Sequence, residues 1–332
     1  MKFYLAPMEG ITTYIFRNAY HHYFGGIDKY FTPFITSKKM NQRERNEILP
    51  EHNKNLTVVP QILTNRAEEF LQIANKIAEY GYKTVNLNLG CPSGTVTARK
   101  RGAGFLSIPH ELDHFLSQIF EKSPLNISIK TRIGIESIAE WPHILEIYKK
   151  YPMEELIIHP RLQKEFYQST PHKEAFASAI AMLPNTPLCY NGDITSPNNF
   201  EKLLCALPQT NCVMIGRGIL KNPMLTSQIQ QSVLQKTSAN LSCSTDFVDT
   251  AALKEVLKAF HNEIFMGYSE QMPGETPTLF KMKDLWTYLS ESFVASDKHL
   301  KKIRKASNYT EYKIAVNNLF RECTLIFPPS IL

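Results

Sequence analysis

The sequence contains no Cys-x-x-Cys pair. Its six cysteines, at 91, 189, 205, 212, 243 and 323, are scattered through 332 residues. That scatter suits reduced thiols and fits neither a disulfide framework nor a zinc site. No apolar run approaches the roughly 18 residues that a membrane span requires. The first ten residues include Glu9 and lack the apolar core and small-residue cleavage site of a signal peptide. There is no internal repeat and no low-complexity tract. Nor does a Gly-rich dinucleotide fingerprint follow the first apolar run, which argues against an open doubly wound sheet. These absences point to a cytoplasmic protein with no membrane partner and no metal.

What is present is an ordinary globular composition, 43% hydrophobic and 20% charged, long enough for one large domain and a smaller one. The net charge of +6 is unevenly spread. Residues 245–332 hold 11 Lys/Arg and 11 Asp/Glu, so the excess lies in the earlier part. Basic clusters occur at Lys38-Lys39 with Arg43 and Arg45, at Arg99-Lys100-Arg101, and, within the neutral tail, at Lys298, Lys301, Lys302, Arg304 and Lys305. Each alone reads as a solvated face; three in one chain raise a nucleic-acid partner.

Short runs rich in Val, Ile, Phe and Tyr recur at intervals suited to βα units. They are Phe3–Met8, Tyr30–Ile35, Leu56–Ile62, Thr84–Leu89, Ile127–Ile133, Glu155–His159, Leu188–Asn191 and Cys212–Ile215. Between them lie amphipathic stretches. In Ala67–Gly81 the apolar residues Phe70, Ile73, Ala74, Ile77 and Ala78 keep helical spacing up to a glycine. Pro109 and Pro197 sit where a proline opens a helix. Eight such units predict an α/β fold, a (β/α)8 TIM barrel over residues 1–240. From about residue 245 strand signals stop and helical spacing takes over, as in Leu253, Val256, Leu257, Phe260 and Ile264, then Leu279, Met282, Leu285, Trp286 and Leu289. A C-terminal all-helical domain is therefore expected over 245–332, joined by a Ser/Thr/Asn-rich linker at Gln235–Thr245.

In such a barrel the loops at the C-terminal strand ends build the active site. Those ends carry Pro7-Met8-Glu9-Gly10, Gln61, Asn88 with Cys91, Lys130 and Arg132, His159-Pro160-Arg161, Asn191-Gly192-Asp193 and Gly216-Arg217-Gly218. Singly, each has a plain reading: a structural cysteine in a tight Gly-Cys-Pro turn, a core histidine, a turn at Asn191-Gly192-Asp193. One polar group per strand end is harder to explain by core packing, and a lysine in a doubly covered parallel strand is costly unless it is paired. Free backbone N–H groups near Gly192, Ser196 and Gly216, with the Arg217 guanidinium, suit a phosphate after strands seven and eight. A flat ring lying over Lys130, Gln61 and Pro7-Met8 would complete a flavin mononucleotide site.

The residues also resemble a known family, the tRNA-dihydrouridine synthases of bacterial type. The resemblance rests on Leu5-Ala6-Pro7-Met8-Glu9-Gly10, Asn86-Leu87-Asn88-Leu89-Gly90-Cys91-Pro92, Gly102-Ala103-Gly104 and Ile129-Lys130-Thr131-Arg132-Ile133-Gly134. It continues through His159-x-Arg161, Tyr190-Asn191-Gly192-Asp193, Val213-Met214-Ile215-Gly216-Arg217-Gly218 and the tail stretch Lys281–Leu289. It implies a flavoprotein that reduces particular uridines of tRNA with NADPH, on a barrel carrying a helical domain that recognises the tRNA. It implies FMN contacts from Pro7, Met8, Glu9, Gln61, Lys130 and His159, and phosphate-side contacts from Asn191, Gly192, Asp193, Gly216 and Arg217. Cys91 matches the proton donor to uracil C5, while Asn88 and Arg161 match positions near the uracil. The triplet Arg99-Lys100-Arg101 is expected to face tRNA phosphate rather than the Cys91 sulfur, and the protein is expected to be a monomer. One departure is visible. Many members read His-Gly-Arg-Thr where this chain has His159-Pro160-Arg161-Leu162, and a proline removes a backbone donor and fixes φ. Two other readings stay open: an FMN-dependent barrel acting on a free pyrimidine or another small molecule, and a tRNA-binding protein without catalysis.

Overall fold

The computed structural model describes residues 1–37, 39–237 and 250–326. Nine parallel strand segments form eight staves: β1 (Lys2–Leu5), β2 (Lys29–Phe31), β3 (Val58–Val59 and Gln61–Ile62), β4 (Thr84–Leu89), β5 (Asn126–Thr131), β6 (Glu155–Ile158), β7 (Leu188–Tyr190) and β8 (Cys212–Ile215). The ladder starts at the first half of β3 and passes through β2, β1, β8, β7, β6, β5 and β4 to the second half of β3. The sheet thus nearly closes on itself, as a (β/α)8 barrel requires. Pro60 divides β3 because its ring nitrogen has no hydrogen to donate. Its carbonyl still accepts from Asn86 N at 2.8 Å, so the seam remains bonded.

The connecting helices are α1 (Tyr14–Tyr23), α2 (Ala67–Glu79), α3 (Pro109–Lys122), α4 (Trp141–Tyr148), α5 (Lys173–Met182), α6 (Pro197–Ala206) and α7 (Leu225–Thr237). α2 buries Phe70, Ile73, Ala74 and Ile77. It carries Glu68 and Glu69 in its first turn, where a carboxylate suits the helix dipole. Of the linker expected at Gln235–Thr245, the first three residues belong to α7 and the rest lies outside the described residues, as do Lys38 and Cys243.

The chain divides into two compact units. The first comprises Met1–Glu9, Ile27–Asp193 and Glu201–Ile215 and holds every strand named above; the second comprises Gly10–Gly26, Ile194–Phe200 and Gly216–Leu332. The second includes α1, α7, α8 (Thr250–Gln271), α9 (Glu275–Leu289), α10 (Asp297–Lys305) and α11 (Tyr309–Glu322). Helical spacing there buries Leu253, Leu257, Phe260 and Ile264 on α8 and Leu279, Met282, Leu285, Trp286 and Leu289 on α9. Tyr312 Oη ties three of these helices: it accepts from Trp286 Nε1 at 2.8 Å and lies 2.7 Å from His261 Nε2. Burial lowers the His261 pKa to about 4, so this imidazole sits neutral in an aromatic core. Among the described residues, no helix is long and apolar enough to cross a membrane.

Several strands end earlier than their apolar runs. β1 stops at Leu5 with Pro7 just beyond, and β2 stops at Phe31 before Pro33; neither proline can extend a ladder. β5, β6 and β7 stop at Thr131, Ile158 and Tyr190, where the backbone leaves the ladder for the loops that carry Arg132, His159 and Asn191. Side chains alternate along each strand. One set, Tyr4, Ala6, Phe31, Val59, Ile157, Cys189, Cys212 and Met214, forms a buried cluster inside the barrel. The same parity continues to Asn88 on β4, Lys130 on β5, His159 beyond β6 and Asn191 beyond β7.

Candidate active site at the strand ends

A chain of amide hydrogen bonds crosses the upper barrel. Asn86 Nδ2 donates to Ser128 Oγ at 2.8 Å, and Gln61 Nε2 donates to Asn86 Oδ1 at 2.7 Å. Asn88 Nδ2 then donates to Gln61 Oε1 at 2.8 Å. Asn88 Oδ1 accepts from the backbone N–H groups of Gly90 at 3.0 Å and Cys91 at 2.9 Å. Gln61, Asn86 and Asn88 are all buried, so the three side-chain bonds of the row are made away from competing water. Its effect is to fasten the Gly-Cys-Pro turn to the strand end.

The loop after that turn folds back on it. Ala103 N donates to Cys91 O at 3.0 Å. Gly102 has φ +55, and a Cβ there would lie 2.8 Å from Cys91 O, so only glycine allows the return. On the other side Arg132, fully buried, donates from Nε to Gly90 O at 3.1 Å, from Nη1 to Leu162 O at 2.8 Å and from Nη2 to Phe166 O at 2.7 Å. Its guanidinium also lies 5.3 Å from the Tyr167 ring centre. One arginine therefore clamps the cysteine loop to the loop after β6.

Cys91 is half-buried, and burial pushes its thiol pKa up. The Ser93 backbone hydrogen bond and the charges of Lys130 and Arg132 oppose that push, while Glu9 adds to it. The group is a protonated thiol at neutral pH. Lys130 stands on the same inward face. Burial, with Arg132 adding to it, lowers its pKa to about 8. Among the described residues it has neither a carboxylate within ion-pair distance nor a hydrogen-bond partner. A cation left without a counter-charge inside a barrel mouth suits an anionic or acceptor-rich ligand.

After β6 a second cluster forms. Arg161, 1% exposed, makes a bidentate ion pair with Asp193, donating from Nη1 to Oδ1 at 3.0 Å and from Nη2 to Oδ2. It also donates from Nε to Ser169 O at 2.7 Å, and its Nη1 lies 3.0 Å from His159 Nε2. His159 stacks on Tyr167 with ring centres 5.9 Å apart and planes at 28°. Asn191 Nδ2 donates to Met214 O at 2.8 Å.

The structure thus brings Gln61, Asn88, Cys91 and Lys130 together, and His159, Arg161 and Asp193 together. Other candidates have different surroundings. Glu9 is exposed and paired with Arg43. Arg101 is paired with Glu69 at 3.1 Å, whereas Arg99 and Lys100 are exposed and Lys100 Nζ donates to Ser107 Oγ at 3.1 Å. Gly216 and Arg217 belong to the second unit, at the start of a short helix, Arg217–Lys221. Arg132 is named at a strand end without a role, and Asn86 and Tyr167 are given none by the sequence. Strand parity is the available signal for Asn86, which shares the face of Asn88, and for Arg132, which shares that of Lys130.

A family model described as dihydrouridine synthase matches residues 4–323. A probable tRNA-dihydrouridine synthase of Staphylococcus aureus (strain N315) is 32% identical over 232 residues, covering 67% of this chain and 69% of that protein. The probable tRNA-dihydrouridine synthase 2 of Bacillus subtilis (strain 168) is 30% identical over 232 residues, covering 67% and 70%. Among solved structures, a 2-naphthoyl-CoA reductase bound to 2-naphthoyl-CoA shares the fold, with a TM-score of 0.52 and 11% identity over 70% of this chain and 50% of that one.

Proposed function

Because the chain belongs to the dihydrouridine synthase family, we propose that it reduces the C5=C6 bond of particular uridines in tRNA, with FMN as cofactor and NADPH as reductant. The observation that carries the cofactor reading is Lys130, an inward cation without a counter-charge at the strand ends. With it, Pro7, Met8, Glu9, Gln61 and His159 would hold the flavin ring and ribityl chain. Asn191, Gly192, Gly216 and Arg217 would serve the phosphate, with Asp193 acting through Arg161. When bound, the reduced flavin supplies the hydride that reaches uracil C6.

The chain's own part is positional and protic. A stacked base cannot reach a barrel interior, so the uridine must be extruded from its RNA. The raised pKa of Cys91 keeps its proton available at neutral pH, and Sγ delivers that proton to C5. The thiolate left behind lies in the field of Lys130 and Arg132 and recovers a proton from water. Hydride at C6 and proton at C5 together add two hydrogens across one double bond. Asn88 acts by holding the Cys91 turn, and Arg161 by holding His159. Each unit carries exposed cations suited to RNA phosphate, Arg99 and Lys100 in the first and Lys298, Lys301, Lys302, Arg304 and Lys305 on α10 in the second. Residues 245–332 are assigned to tRNA recognition, and the enzyme works as a cytoplasmic monomer.

The test is to incubate the purified protein and NADPH with tRNA lacking the modification and, separately, with free uridine. Yellow protein and a gain of two hydrogens in tRNA alone are expected. Equal turnover of free uridine would transfer the reading to a small-molecule reductase, and colourless, inactive protein would leave only tRNA binding.

A further inference from the structure

His159 is the one ring in the candidate site whose protonation can be read from its neighbour. Its Nε2 lies 3.0 Å from Nη1 of Arg161. A guanidinium has five donors and no acceptor, and does not deprotonate in proteins. The contact can be a hydrogen bond only if Nε2 is the acceptor. An imidazole accepting at Nε2 is neutral and carries its proton on Nδ1.

The guanidinium cannot easily turn away. Both terminal nitrogens are taken by Asp193, and Nε and Nη2 also reach Ser169 O. The Arg161 side chain is 1% exposed, so the guanidinium itself is out of bulk water, although its Asp193 partner is exposed at 40%. The stacked Tyr167 ring covers a face of the imidazole.

We propose that Arg161, held by Asp193, is a positioning residue that fixes His159 as the neutral Nδ1–H tautomer, with Nε2 kept as the acceptor of the guanidinium. The chain order Asp193 to Arg161 to His159 works as an orienting relay in which no proton moves. Its functional consequence rests on the dihydrouridine synthase reading; the tautomer itself does not.

The experiment is a long-range proton–nitrogen correlation spectrum of the apoprotein labelled with 15N-histidine, with the His159 signals assigned by their loss in His159→Gln. Protonated Nδ1 and bare Nε2 are expected. A dominant Nε2–H form, or a doubly protonated ring, overturns the proposal. In Arg161→Met the Nε2–H form should become the major one; retention of pure Nδ1–H there also overturns it. If Arg161→Met does not fold, Asp193→Asn supplies the same comparison, because it frees the guanidinium while leaving the histidine in place. In the loaded enzyme, Arg161→Met should lower uridine reduction at least about tenfold with FMN still bound, since a wrong histidine tautomer in a catalytic triad costs about 10⁴-fold. Protein that makes no dihydrouridine but shows the expected spectrum would refute the function and leave the tautomer standing.

Discussion

The two ends of the barrel interior are both polar, yet they are satisfied in opposite ways. At the N-terminal end, Tyr4 Oη donates to Glu155 Oε1 at 2.6 Å, and Lys29 Nζ stands 3.5 Å from Glu155 Oε2 and 3.8 Å from Glu154. Burial pushes the Glu155 carboxyl up, and both Tyr4 and Lys29 pull it back. Acid, cation and phenol close on one another. At the C-terminal end the amide row is equally complete, but among the described residues Lys130 has no acid, and Cys91 keeps its proton. Desolvation acts on both ends; only the lower one supplies its own counter-charge. A polar barrel interior is thus not by itself a mark of function. The mark is the group left without a partner among the described residues.

The largest effect that would separate the two ends is at Cys91. In Cys91→Ala, uridine reduction should fall by about 10²–10⁴-fold, the usual worth of a positioned general acid. Flavin binding and its reduction by NADPH should be unchanged, as read by absorbance in single-turnover mixing with NADPH and then tRNA. Transfer at the native rate would remove Cys91 from the chemistry and erase the contrast.

The lower end should respond in stability instead. Glu155→Ala leaves the buried Tyr4 hydroxyl without its acceptor, while Lys29 keeps Glu154, and should cost about 1–3 kcal/mol, as an unsatisfied buried polar group does. Tyr4→Phe removes one donor and should cost about 1–3 kcal/mol. Denaturant midpoints measure both. A variant that stays as stable as the parent while losing uridine reduction would show that the Tyr4–Glu155–Lys29 cluster takes part in the reaction.

Lys130 offers a subtler comparison through pH. Its pKa of about 8 in the folded protein lies below its ordinary 10.5. Between those values the unfolded chain holds a proton that the folded protein has released, so the unfolded state binds more protons and stability rises with pH. The flavin-free protein should therefore gain stability from about pH 8 to about pH 10.5. Lys130→Met should flatten that rise and be the more stable of the two below pH 8. A bound anion would raise the lysine pKa and reverse the trend. Parallel stability curves for parent and Lys130→Met would show that the cation is satisfied within the chain.

The barrel itself is readable because β4 alternates cleanly, β8 is a short unbroken apolar run and the βα spacing repeats, so the expected Thr84–Leu89 and Cys212–Ile215 match the observed strands. Parity also says which side chains face inward. It cannot say which of them meet, because that depends on the stagger of the closed sheet. The pairing of Arg161 with Asp193, 32 residues on, has no local signature. Neither has the row from Ser128 to Asn88, which needs three strands in register. The division of β3 at Pro60 was signalled by the proline, but the apolar run on both sides masked it. Asn88 shows the same limit at a finer scale. Its place beside Cys91 is legible, while its engagement by Gln61 and two backbone N–H groups is a property of the folded turn.

The basic triplet sets the smallest contrast, and it can be measured within one loop. Three consecutive cations look equivalent in sequence, but Glu69 neutralises Arg101 at 3.1 Å while Arg99 is exposed. Binding that releases counterions weakens with salt in proportion to the phosphates neutralised. A cation already paired within the protein adds little to that count, because reaching a phosphate would mean giving up its carboxylate. Arg99→Ala should therefore reduce the slope of log affinity against log salt by about 1, the value for one phosphate contact, and Arg101→Ala by clearly less. Titrating labelled tRNA at several salt concentrations reads both. Equal slopes for the two variants would mean that Arg101 abandons Glu69 on binding. An unchanged slope in Arg99→Ala would move the RNA surface away from this loop, leaving the exposed cations of α10 as the next to test.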